Sequence, residues 1–266
     1  MLLGKLFNKK TLVKDSTMNG IVKLRYMPFG KYMQRMVIEN CYFIAMTGVI
    51  EENFLKLGAP QNRIFKIPNG VTVPSVFNNK AKNEYKCIFV GNLYQQPAKG
   101  VDVLLEAWIN VIKEFPLASL NIIGDGDLNY YNAISKSLGI AESVMFLGKQ
   151  KSAMEFYLDA NLFVLPSRRE GMSNALLEAM AVGLPCIATN ISGNQDLIDN
   201  MKDGILIPAE DVISLSNAII WSFNNYEELK TFGLKARTKI FNDYNIDLII
   251  SKYVTLYQSL LLVEDN

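Results

Sequence analysis

Tyr85-Lys86-Cys87-Ile88-Phe89-Val90-Gly91 is a short apolar run that closes on a glycine. Its branched and aromatic residues read as a buried strand. The segment after it reads as a helix, because Val101, Leu104, Leu105, Trp108, Val111 and Ile112 recur at helical spacing up to Pro116. The beat then repeats. A strand over 119–123 ends at Gly124-Asp125-Gly126 and a helix comes next over 128–138. A strand over 144–147 closes at Gly148, and one over 161–165 closes at Pro166 and leads into a helix over 173–181. Segments 185–188 and 204–207 supply two more strands. Such alternation predicts an α/β fold with a doubly wound parallel sheet, whose ligands collect at the carboxyl ends of the strands.

Upstream lies a smaller unit of the same habit. It has a strand over 41–46, a helix over 50–57 ended by Gly58, and a strand over 64–67 stopped by Pro68-Asn69-Gly70. Segment 74–84 is polar and reads as a linker, and 245–263 reads as one long amphipathic helix. The expected organisation is a partial N-terminal domain (1–75), a linker (76–84), a ligand-binding domain (85–244) and a closing helix (245–266).

Half of the 266 residues are hydrophobic and a fifth are charged, which suits a sizeable core and excludes disorder. A net charge of +1 argues against a dedicated nucleic-acid binder. The chain has no histidine, which removes imidazole metal ligands and His-based nucleophilic catalysis from this polypeptide. Cys41, Cys87 and Cys186 are isolated in apolar segments and read as small buried hydrophobes in a reducing compartment. No signal-peptide core and no apolar run long enough to span a bilayer is present, so a cytoplasmic location is expected. Residues 1–40 carry eight Lys or Arg against two acids, with Phe7, Tyr26, Phe29 and Tyr32 among them. This is either a solvated basic face or a surface that rests on anionic lipid.

The stretch richest in chemistry is Pro166-Ser167-Arg168-Arg169-Glu170-Gly171-Met172-Ser173-Asn174-Ala175-Leu176-Leu177-Glu178-Ala179-Met180. Glu170 falls on a strand-to-helix loop, Gly171 allows close backbone approach, and the helix start offers unpaired N–H groups that suit a phosphate. Glu178 has Asn174, Ala175, Ala181 and Val182 as helical neighbours, so a charged solvent face explains it poorly. It is either a structural acceptor or an acceptor for ligand hydroxyls. Arg168 and Arg169 are surface residues or phosphate partners.

Glu170 and Glu178, with Gly171 and the run from Glu178 through Gly183 to Pro185, resemble the family 4 (group 1) glycosyltransferases of the GT-B fold. Further segments match in order: Pro68-Asn69-Gly70-Val71, Phe89-Val90-Gly91 with Lys99-Gly100, Ile123-Gly124-Asp125-Gly126, Phe146-Leu147-Gly148, 193–198 and Asp203-Gly204. The resemblance covers roughly residues 35 to 262. It implies a retaining transfer of sugar from a UDP- or GDP-sugar to a glycan or lipid-linked acceptor, with no metal or other cofactor. Surface polysaccharide or lipopolysaccharide assembly in a bacterium is the implied setting. Glu170 and Lys99 would be catalytic, Glu170 contacting the donor sugar and Lys99 neutralising the departing diphosphate. Backbone amides of Gly171, Met172, Ser173 and Asn174 would lie near the diphosphate. Glu178 would hold the ribose, and Gly148, Lys149 and Gln150 would border the base. Gly91 and Asn92 belong to the donor loop. Asp125-Gly126-Asp127 by itself is a metal-diphosphate signature, but in a glycine turn it reads as loop shaping.

Two departures from the family pattern stand out. Asn92 takes the place of an arginine and brings no fixed charge, for which Arg168 or Arg169 would have to compensate. The first lobe is also short, with fewer than 80 residues ahead of the linker. It could supply two or three strands, with a sheet edge left open. Three readings remain: the donor half of an enzyme whose acceptor lobe lies on a second polypeptide, a transferase that works alone, or a non-catalytic nucleotide-sugar-binding or structural partner.

Overall fold

The structure, a computed structural model, describes residues 9–15, 20–78, 84–94 and 97–262. Phe7, Gln95, Gln96, the middle of the expected linker (79–83) and the last four residues lie outside them. The chain forms two compact units, Met1–Gly70 with Tyr244–Asn266, and Val71–Asp243.

In the first unit, strands β1 (Thr11–Asp15), β2 (Cys41–Ala45) and β3 (Ile64–Lys66) pair in parallel in that order. Helices α1 (Gly20–Leu24), α2 (Gly30–Asn40) and α3 (Gly48–Lys56) connect them. Thr47 caps α3 by accepting from the Ile50 N–H at 3.3 Å, which starts that helix ahead of the expected residue 50. At the α1–α2 junction Tyr26, Phe29 and Tyr32 are 84%, 86% and 67% exposed, beside exposed Lys23, Arg25, Lys31 and Arg35.

The second unit holds a six-stranded parallel sheet of order β6-β5-β4-β7-β8-β9. Its strands are β4 (Lys86–Val90), β5 (Ser119–Ile123), β6 (Val144–Gly148), β7 (Leu162–Leu165), β8 (Cys186–Thr189) and β9 (Ile205–Ile207). Every strand read from 85 onward is present. The central strands β7 and β8 are buried on both faces, as parallel strands are, and so stand out as continuous apolar runs.

Helix α4 (Val101–Glu114) turns Val101, Leu104, Leu105, Trp108 and Val111 into the core, the face that the spacing predicts. Helices α5 (Leu128–Ser137), α6 (Met154–Asp159), α7 (Asn174–Ala181), α8 (Ser192–Gln195), α9 (Val212–Asn224) and α10 (Tyr226–Asp243) complete the unit. Residues 71–78 belong to it as well. Asn78 donates to the carbonyls of Tyr157 and Ala160, both at 2.8 Å, and Arg237 donates to Pro74 O at 2.6 Å. The unit thus begins at Val71, ahead of residue 76 where the linker was expected.

Helix α11 (Ile246–Leu262) returns to the first unit, where Ile249, Leu256 and Leu260 pack with Ile44 and Ile67. All three cysteines are buried and unpaired, and desolvation pushes the Cys87 and Cys186 thiols well above their usual range. Among the described residues no helix is long and apolar enough to cross a membrane.

Candidate functional site

The sheet order of the second unit makes the site. From β4 the chain winds outward through β5 and β6, then returns to pair β7 directly against β4, Cys87 opposite Leu162 and Ile88 opposite Phe163. The winding direction reverses between these two strands, so the loops leaving them diverge and open a crevice at their carboxyl ends. The loop after β4 carries Lys99 on a 3-10 turn (Pro97–Lys99), and the loop after β7 carries Ser167, Arg168 and Glu170.

Three contacts clasp the loops. The Arg168 N–H donates to Ala98 O at 2.8 Å. Its guanidinium makes a two-pronged pair with Asp102 in the first turn of α4, at 2.8 and 2.7 Å, and reaches Glu210 at 2.8 Å. Gly100, at φ +65°, lets the α4 start press on the Pro166 carbonyl, which would lie 2.0 Å from any Cβ placed there. The guanidinium therefore serves the scaffold, and it holds the Asp102 carboxyl below the usual carboxylate range. The sequence leaves Arg168 as a surface residue or a phosphate partner; the fold holds it partly buried against two carboxylates. Arg169 is exposed.

Lys99 and Glu170, 71 positions apart, meet in this clasp. The Lys99 ammonium donates to Glu170 Oε1 at 2.6 Å, and Ser167 Oγ donates to the same oxygen at 2.7 Å. Only 9% of the Glu170 side chain and 29% of that of Lys99 is exposed, so the pair is partly desolvated. An ammonium there can move between this carboxylate and an incoming phosphate, while the Ser167 hydroxyl keeps its hydrogen bond to Glu170.

Past Gly171, Ser173 caps α7 by accepting from the Leu176 N–H at 3.3 Å, so the helix begins at Asn174. The first amides of the helix and its dipole favour an anion at this end. Met172 is buried, and Asn174 is exposed at the helix start. One turn in, half-buried Glu178 accepts from the Tyr157 hydroxyl at 3.2 Å. Burial raises the Glu178 carboxyl above its ordinary range, and the tyrosine opposes that rise.

The remaining predicted residues line the same carboxyl edge. Gly91 and exposed Asn92 come after β4, and their loop is tied down where Leu93 exchanges backbone hydrogen bonds with Asp125 and Asp127. Asp127 caps α5 through the Tyr130 N–H at 3.0 Å, and Tyr94 donates to Asp125 at 3.4 Å, so both carboxylates shape that loop. Gly148 and exposed Lys149 and Gln150 lie at the end of β6, where Gln150 folds back onto Leu147 O at 2.6 Å. They stand two strands from β4 and do not touch the Lys99–Glu170 pair. Sequence reading missed Ser167, Asp102 and Tyr157 as parts of the site. Their partners lie in loops or helices that only the fold brings near, although Ser167 sits just three positions before Glu170.

Residues 84–225 match the family of glycosyl transferases group 1. The chain is 31% identical to an uncharacterised glycosyltransferase of Haemophilus influenzae, across 84% of this chain and 62% of that protein. It is 32% identical to the UDP-Gal:alpha-D-GlcNAc-diphosphoundecaprenol alpha-1,3-galactosyltransferase of Escherichia coli, across 73% of this chain and 54% of that one. It thus spans little more than half the length of these relatives. HepE of Anabaena, solved in complex with UDP, superposes with a TM-score of 0.84 over 97% of this chain and 74% of its own, at 16% identity. The parallel α/β architecture is therefore that of the GT-B glycosyltransferases. With a match across more than half its length, on the segment that builds the crevice, the chain belongs to the group 1 glycosyl transferases.

Proposed function

We propose that the second unit binds a UDP- or GDP-sugar and that the protein transfers its sugar, with retention of configuration, to a glycan or lipid-linked acceptor in bacterial surface polysaccharide assembly. The observation that carries this is the Lys99–Glu170 contact at the reversal between β4 and β7. When the bond from sugar to diphosphate breaks, negative charge grows on the leaving phosphate. An ammonium and a helix start that are already in place stabilise that charge more than they stabilise the intact donor. Glu170, held by Ser167, accepts from sugar hydroxyls, and Glu178 accepts from those of the ribose. The E. coli relative's name couples a UDP-sugar to a diphospholipid acceptor, which fits both ends of this reading. No step needs a metal.

In this reading a second polypeptide can supply the acceptor side, since the described sheet of the first unit has three short parallel strands. The competing reading is a non-catalytic nucleotide-sugar-binding partner. The engagement of Arg168 with Asp102 and Glu210 favours it, since this leaves only Arg169 of the two arginines to make up the charge missing at Asn92. Calorimetric titration with UDP, GDP and ADP decides. One nucleotide should bind, and Glu178→Ala should weaken it tenfold or more, about 1.4 kcal/mol. Unchanged affinity in that variant refutes the site. Binding without transfer, even when candidate acceptor lobes are supplied, supports the non-catalytic partner.

We also place the α1–α2 junction on anionic lipid at the inner membrane face. Its three exposed aromatics and four exposed cations match an interface where each Lys or Arg contributes about 1 kcal/mol. The protein should co-sediment with phosphatidylglycerol vesicles in low salt and be released by high salt. Phe29→Ser with Tyr26→Ser should abolish most of the binding. Equal sedimentation with neutral vesicles would sink this placement.

A further inference from the structure

Tyr157 lies outside the motif stretch, yet it is 1% exposed and its hydroxyl has two acceptors, Glu178 Oε2 at 3.2 Å and Ala175 O at 3.3 Å. A phenol has one proton to give, so it serves these acceptors on adjacent turns of α7 and no third group. Its ring is fixed independently. It packs edge-on against Phe163 of β7, with centroids 5.9 Å apart, and its backbone carbonyl takes a hydrogen bond from Asn78.

We propose that Tyr157 is a positioning residue of the nucleotide site: its hydroxyl holds the Glu178 carboxylate so that the remaining lone pairs face the paired hydroxyls of a ribose. This rests on the reading of Glu178 as the ribose acceptor. A carboxylate on a helix has three rotatable bonds, and a half-buried one with no fixed donor would sample orientations that cannot take two hydroxyls at once. Tyr157 removes that freedom without occupying the ligand's side.

The surroundings leave this role to Tyr157. From α10, which packs on α7, Arg237 donates to the carbonyls of Ala181 and Pro74. From β8, the Cys186 thiol is kept neutral by burial. Asn174, one turn earlier on α7, carries no charge, and among the described residues no Lys or Arg pairs with Glu178. Burial moves the tyrosine's own ionisation far above the working range, so it remains a donor at every ordinary pH. The carboxyl is then pulled two ways: burial favours its neutral form, and the phenol favours the carboxylate. Binding to a ribose needs the carboxylate, so affinity falls on acidification, and loss of the phenol moves that fall to higher pH.

The test is calorimetric titration of the full chain with UDP, with GDP and ADP in parallel, from about pH 4 to 8. The proteins are the wild type, Tyr157→Phe, Glu178→Gln and Glu178→Ala. The nucleotide phosphates titrate identically in every case, so differences between proteins report the protein. Tyr157→Phe keeps the ring and should melt close to wild type. It should bind about threefold to tenfold more weakly at neutral pH, with the acid fall in affinity moved to higher pH. Glu178→Gln should lose the acid fall that the phosphates do not account for. A Tyr157→Phe curve parallel to wild type with the same midpoint overturns the positioning role. An acid fall in Glu178→Gln as large as that of the wild type overturns it as well, whether or not the phenylalanine variant folds. If Glu178→Ala binds like wild type, it is the ribose reading that fails, and the inference goes with it.

Discussion

Replacing Lys99 with alanine is expected to slow sugar transfer by about a hundredfold or more and to weaken nucleotide-diphosphate binding by about tenfold. The larger effect falls on the rate, because the ammonium meets most of its charge as the diphosphate departs. The substitution also leaves the Glu170 carboxylate, whose side chain is 9% exposed, with Ser167 as its donor. That should cost stability on the order of 1–3 kcal/mol. Lys99→Arg separates the two consequences: it restores a cation to Glu170 with a geometry unsuited to the same phosphate position, so stability should recover more than rate. Release of nucleotide from the donor sugar, followed with acceptor components present, measures the first effect, and thermal melting measures the second. Transfer by Lys99→Ala within threefold of wild type would remove this lysine from the mechanism.

Gly100→Ala should be among the damaging single-methyl additions in the second unit, and it is the one that falls on the Lys99 loop. At φ +65° an L-residue is strained by about 1–2 kcal/mol. Here the new Cβ would also sit 2.0 Å from the Pro166 carbonyl oxygen, which is backbone and cannot swing aside as a side chain can. The loops after β4 and β7 must part, and with them Lys99 and Glu170. The expected loss is about 3 kcal/mol or more, or about 6–12 °C in melting temperature for a unit of this size, with nucleotide affinity falling in parallel. Gly139→Ala is the control. It shares the left-handed geometry, at φ +70°, but its Cβ would meet nothing within 4 Å. Strain alone then costs about 1 kcal/mol, with binding untouched. Equal losses in the two variants would mean that the packing at Pro166 is looser than the structure has it.

What was legible before folding, and what was not, divides along a physical line. Strands β7 and β8 of the second unit were readable because burial on both faces demands unbroken apolar runs. Helix α4 was readable because one face of it is buried, which leaves a period in the sequence. Helices α9 and α10 went unread. In α9 Val212, Ile213, Ala218, Ile220 and Trp221 spread apolar residues around the whole circumference, and that erases the period. Strand β1 went unread for a related reason, since none of Thr11, Leu12 or Val13 is fully buried.

The sequence by itself determined the family, the doubly wound fold and the candidate residues Lys99, Glu170 and Glu178, because short motifs in a fixed order survive without knowledge of contacts. Only the tertiary structure decided what those residues touch. Arg168 read as a surface residue or a phosphate partner, and only the fold brought Asp102 and Glu210 to it from 66 and 42 positions away. Tyr157 had no motif to announce it, and it reaches Glu178 across 21 positions. A hydrogen bond forms between atoms about 3 Å apart, and nothing in local composition encodes which distant residue the sheet order will deliver to that distance.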